Sequence, residues 1–121
     1  MIMKSERRKY PRIDVGGDVS LLVAGVIRTG TLTNLSPSGI QIECRHQLIE
    51  QISRFKSGSG LYPDFELEFR LADDEPIQCS CTVSYLRRLS QDTYHLGLEF
   101  VALSDHDEQR VDATIHHAVA A

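Results

Sequence analysis

Phe65-Glu66-Leu67-Glu68-Phe69-Arg70-Leu71 and, six residues on, Ile77-Gln78-Cys79-Ser80-Cys81-Thr82-Val83-Ser84-Tyr85 alternate apolar and polar residues without a break. Side chains along a strand point to opposite faces in turn, so each stretch reads as a strand with one dry face. Phe65, Leu67, Phe69 and Leu71 share one face of the first, with Glu66, Glu68 and Arg70 on the other. Ile77, Cys79, Cys81, Val83 and Tyr85 share the inner face of the second on the same reasoning.

The period continues outward in both directions. Val19, Leu21 and Val23 mark a strand near 18–27, Thr29 to Leu35 a second, and Ile40, Ile42 and Cys44 a third. After the two quoted strands, Leu96, Leu98 and Phe100 mark a sixth from Tyr94 to Val101. Gly16-Gly17, Gly25, Pro37 to Gly39 and Asp73-Asp74-Glu75-Pro76 supply turn chemistry between them. Six short antiparallel strands expose unpaired edges unless the sheet closes, so the expected fold is mainly all-β, a six-stranded antiparallel β-barrel.

Two segments switch to helical spacing. Leu48, Ile49, Ile52 and Phe55 predict a short helix between strands 3 and 4, ended by Ser57-Gly58-Ser59-Gly60. Ser104 is placed to cap a C-terminal helix, with Asp105, Asp107 and Glu108 favourable to its dipole. Val111, Ile115 and Val119 give that helix one apolar stripe, suited to the barrel or to a partner.

A chain of 121 residues fits one domain, here a basic arm at 1–12 followed by a barrel domain at 13–121. No apolar run reaches the roughly 20 residues of a membrane span, and no signal-peptide pattern opens the chain, so a cytoplasmic protein is expected. Three cysteines at no recurring spacing make a poor disulfide or metal framework and read as buried thiols. The net charge of −4 conceals an asymmetry: Lys4, Arg7, Arg8, Lys9 and Arg12 oppose Glu6 alone, giving +4, so the remainder carries −8. Such an acidic body repels DNA, RNA and anionic membranes, while the arm suits a small anion or an unoccupied solvated tail. Small barrels do bind single-stranded nucleic acid, but through a basic groove and an aromatic platform that this sequence does not supply. An enzyme is not expected: His46, His95, His106, His116 and His117 form no ligand or catalytic spacing, and Ser36 lacks a nucleophile-elbow setting.

Two features remain. In Arg7-Arg8-Lys9-Tyr10-Pro11-Arg12, Pro11 keeps Tyr10 out of helix, and the arginine forks can take a phosphate, pair with guanine O6 and N7, or stack on a base. In Asn34-Leu35-Ser36-Pro37-Ser38-Gly39, Asn34 offers donors and an acceptor, Ser36 a hydroxyl, and Gly39 either a positive φ or a close backbone approach. The same residues also make an ordinary β-turn.

Taken together and in this order, Glu6-Arg7-Arg8-Lys9-Tyr10-Pro11-Arg12, Asn34-x-Ser36-x-x-Gly39 and Leu96-Gly97-Leu98-Glu99-Phe100 resemble a PilZ domain from about Glu6 to the last strand. Arg8 and Arg12 fall on that family's Arg-x-x-x-Arg pair, and Asn34, Ser36 and Gly39 on its Asp/Asn-x-Ser-x-x-Gly turn. The Gly97 segment matches a last-strand pattern of structural character. The resemblance implies a six-stranded barrel that binds cyclic di-GMP, a bacterial second messenger, with no other cofactor. It also implies an arm that folds over the ligand and a signal passed to a protein partner. Arg7 sits where the family varies between one and two stacked nucleotides. The alternative is a PilZ barrel that works as a protein-interaction module without nucleotide. Residues 46–63 look longer than the family's usual connection, as a partner surface or an insertion.

Overall fold

Six alternating segments pair around a closed antiparallel circuit in the computed structural model, which describes residues 13–71 and 75–120. The elements run β1 (Ile13–Asp14), β2 (Asp18–Val23), β3 (Val26–Ser36), β4 (Gly39–Arg45), α1 (His46–Ser53), β5 (Phe65–Arg70), β6 (Pro76–Arg88), β7 (Thr93–Ala102) and α2 (Asp105–Ala120). Neighbours follow the order β3-β2-β5-β6-β7-β4, and β4 pairs back onto β3, so the six long strands leave no open end to the sheet. The Arg7, Arg8 and Arg12 positions and the Asp73-Asp74 turn lie outside the described residues.

The two-residue β1 is an extension of β2. Both pair with the same edge of β3, β1 through Ile13↔Leu35 and Asp14↔Asn34, β2 from Asp18↔Thr31 onward. Gly17, at φ 121°, makes the break between them, and its carbonyl still accepts from Leu32 N at 2.7 Å. The first strand ends earlier than its apolar residues suggest. Ala24 and Gly25, both at positive φ, form the hairpin turn, so Val26 and Ile27 belong to the return strand.

The inner faces of the strands form the core. Val19, Leu21, Leu35, Ile42, Phe69, Ile77, Cys81, Leu96 and Leu98 are at most 2% exposed. Each buried side chain of this size stabilises by about 1.5–3 kcal/mol relative to leaving it in water. The helix α1 adds Leu48, Ile49 and Ile52 to the core, and its buried Gln51 donates to Val23 O at 3.4 Å. Phe55, expected on the same stripe, falls past the helix end and is exposed. The N-terminus of α1 is closed by Asp92, which accepts from His46 N at 3.2 Å and from Arg45 Nε at 2.8 Å. The Arg45 guanidinium and that backbone bond hold the Asp92 carboxyl below its usual range.

On α2, Ser104 Oγ accepts from Asp107 N at 3.1 Å, the cap that the sequence predicts. Val111 and Ile115 are buried against the barrel, but Val119 is 59% exposed, so the apolar contact ends one turn before the helix does. Arg110 joins Asp107 at 3.0 Å and donates to Glu75 O at 2.6 Å, which ties α2 to the start of β6.

Burial fixes the cysteine chemistry. It pushes the Cys44 thiol up to about 12 and the Cys79 thiol up to about 11, and shifts Cys81 further the same way. All three are free buried thiols that stay protonated at neutral pH.

Candidate functional site

The Asn34–Gly39 turn lies on the outer surface of the barrel, and strand register decides what stands beside it. Ser36 pairs with Gly39 across a two-residue Pro37-Ser38 loop. Ser36 Oγ donates to Gly39 O at 3.3 Å and lies 3.3 Å from Ser38 Oγ. Ser38 O accepts from Phe100 N at 2.9 Å, which pins the loop to β7. Of the two roles open to Gly39, the close approach is the one used: its φ is not positive, and a Cβ there would collide with the Leu98 carbonyl oxygen.

Asn34 owes its position to a shift of register between Leu32 and Asn34 in the β3–β4 ladder. Leu32 opposes Ile42 on the inner face. Asn34 then opposes Gln41, so Asn34 and Ser36 stand on the outer face instead of following Leu32 to the inner one. Ile13 pairs with Leu35, so the point where the basic arm joins the barrel is one register position from Ser36.

A second shift of register brings in a residue that strict alternation places inside. Val83 opposes Leu98, but Tyr85 opposes Gly97, with Ser84 taken up between them. The extra residue moves Tyr85 from the inner to the outer face, where it is 38% exposed. Its ring occupies the space a side chain at Gly97 would fill. Its hydroxyl donates to Gln41 Oε1. Gln41 Nε2 donates to Thr33 Oγ1 at 3.0 Å, and that hydroxyl donates to Gln41 O at 2.9 Å. Gln41 is thereby 8% exposed with its polar atoms satisfied, and the Tyr85 ring is held at both ends.

Asn34, Ser36, Ser38, Gly39, Ser84, Tyr85 and Glu99 line one open hollow of about 230 Å³. It offers an amide, three hydroxyls, an aromatic wall and a carboxylate, which suits a flat polar heterocycle more than an apolar ligand. A larger hollow of about 580 Å³ lies near Gly16-Gly17, Phe69, Arg70 and Thr114, away from the motif residues. Among the described residues no group of His, Cys, Asp and Glu is arranged to hold a metal ion, and no helix is long and apolar enough to cross a membrane.

The sequence reading located Asn34, Ser36 and Gly39, and the structure brings these three together. It missed Tyr85, Gln41 and Glu99. A thirteen-residue strand in a small barrel has to bend, and the length of β6 is the one signal that its alternation would slip.

Comparison with known proteins agrees with this architecture. The PilZ domain family profile matches residues 6–116. No curated protein matches the chain in sequence. Among solved structures, the PilZ domain of YcgR from Escherichia coli, determined with c-di-GMP, superposes with a TM-score of 0.67 at 14% identity, covering 92% of this chain and 90% of that one. The Bacillus subtilis inhibitor of motility MotI/DgrA gives 0.71 at 19% identity over 94% of this chain. The K. pneumonia MrkH–c-di-GMP complex gives 0.70 at 16% identity over 94%. The chain spans about half of the last two, 52% and 53% of their lengths. At these identities the likeness is one of fold.

Proposed function

This chain belongs to the PilZ domain family, and we propose that it is a receptor for cyclic di-GMP that binds on the outer face of the barrel. The observation that carries this reading is the meeting of Asn34, Ser36 and Gly39 with the Tyr85 ring in one open hollow. Asn34 and Ser36 address the edge of one guanine, Gly39 lets the backbone approach, and Tyr85 offers an aromatic wall for a base. Arg8 and Arg12, with Arg7 before them, supply the charge for the two phosphates from an arm that joins the barrel at Ile13, beside Leu35.

Ordering an arm of about six residues costs roughly 1–2 kcal/mol per residue of backbone freedom. Charge-assisted bonds and stacking on the ligand offset that cost. The free and bound forms then differ in what the arm covers, and a protein partner downstream can read that difference. The reading is one of binding and relay, with no catalytic step.

The test is a calorimetric titration of the purified chain with cyclic di-GMP. Saturable heat at one or two nucleotides per chain supports the receptor and fixes its stoichiometry. Absence of heat overturns it in favour of a nucleotide-independent interaction module on the same barrel.

A further inference from the structure

Beyond the hollow, the same outer face carries a second set of polar groups. Arg87, His95 and Glu43 stand in one row across β6, β7 and β4, with Arg87 opposite His95 and His95 opposite Glu43. This row lies two residues along the strands from Tyr85, Gly97 and Gln41, about 6.6 Å away at the rise of a strand. Residues two apart share a face, so both rows lie on the same outer face of the barrel.

Arg87 Nη2 lies 3.0 Å from His95 Nδ1. Arginine has no acceptor, so Nδ1 accepts, and the contact holds the guanidinium against β7. Arg87 and Glu43 are both exposed, on strands about 9.6 Å apart with β7 between them. One cation and one anion cancel, so this row is no phosphate trap. It instead sets a donor fork on one side and an acceptor pair on the other. Guanine matches that order, with O6 and N7 as acceptors and the N1 and N2 hydrogens as donors. Adenine does not: its N6 amine stands beside N7 where the fork needs an acceptor, and it has no N2 amine for Glu43.

We propose that Arg87 and Glu43 form the subsite for the second guanine of the ligand, with His95 orienting Arg87. The subsite rests on the receptor reading above and extends it from one base to both. It makes the protein selective for the guanine dinucleotide over cyclic di-AMP.

The experiment compares wild type, Arg87→Ala, Arg87→Lys, Glu43→Gln and Arg8→Ala by calorimetry with cyclic di-GMP and cyclic di-AMP, with thermal melts confirming folded protein. The subsite requires Arg87→Ala to lose roughly tenfold in affinity, the discrimination a bidentate pair supplies. Lysine keeps the charge but not the fork, so Arg87→Lys stays impaired, while Glu43→Gln binds more weakly and discriminates less against cyclic di-AMP. Arg87→Ala within twofold of wild type, while Arg8→Ala loses binding, overturns the subsite and leaves the receptor standing. Full recovery in Arg87→Lys also overturns it, since charge alone then accounts for the contact. A wild type that binds neither dinucleotide overturns both readings.

Discussion

Tyr85 packs its ring into the space that a side chain at Gly97 would occupy, and the two residues face each other directly across the β6–β7 ladder. The absent side chain at Gly97 is what lets the ring cross β7 and its hydroxyl reach Gln41 on β4. One glycine in the last strand thus holds the aromatic wall of the candidate site in place.

Gly97→Ala is therefore expected to displace the ring. The change overpacks a filled position and costs about 1–3 kcal/mol of stability. It also weakens cyclic di-GMP binding with the arm and the Asn34–Gly39 turn untouched. Urea unfolding and calorimetry on the same variant read the two effects; retention of wild-type stability contradicts the packing.

Gly39→Ala sets a methyl group against the carbonyl of Leu98 and forces β4 away from β7 at the turn. Loss of stability and loss of binding are both expected. Gly16→Ala serves as the control, because nothing lies within 4 Å of its added Cβ. Equal melting temperatures for the two variants rule out the close approach at Gly39.

Arg8→Ala and Arg12→Ala are each expected to weaken cyclic di-GMP binding tenfold or more, about 1.4 kcal/mol, with the melting temperature of the free protein unchanged. The loss is steeper at low ionic strength, where charge contacts are screened least. An affinity that does not change between low and high salt removes the arm from the phosphates.

The buried thiols predict an alkaline limit to stability. Their folded values, about 12 for Cys44 and about 11 for Cys79, exceed the 9.0 of a free thiol. The unfolded chain therefore releases protons first. The stabilisation is fully present below pH 9 and is lost as pH rises from there toward the folded values. Urea midpoints at pH 8 and pH 10.5 are expected to fall more for wild type than for Cys44→Ala. Equal falls in both show that Cys44 does not titrate in this way.

The strands were legible because one face of each is dry, and burial of Phe65, Leu67 and Phe69 or of Ile40, Ile42 and Cys44 imposes a period of two. The turn was legible because Ser, Pro and Gly answer local backbone geometry, and the cap at Ser104 for the same reason. Helix ends were less so: Phe55 and Val119 keep the helical spacing of apolar residues, yet both are exposed.

Local sequence by itself determined the all-β character, the Asn34–Gly39 loop and the identity of the arginines in the arm. Tertiary structure alone decided that Tyr85 faces outward, that Gln41 is buried beneath it, and that Arg87 and Glu43 share a row. The physical reason is that register belongs to pairs of strands. An extra residue between Val83 and Tyr85 leaves the alternation of β6 unbroken in sequence while reversing the face of everything after it, and only pairing with β7 fixes where that residue is absorbed.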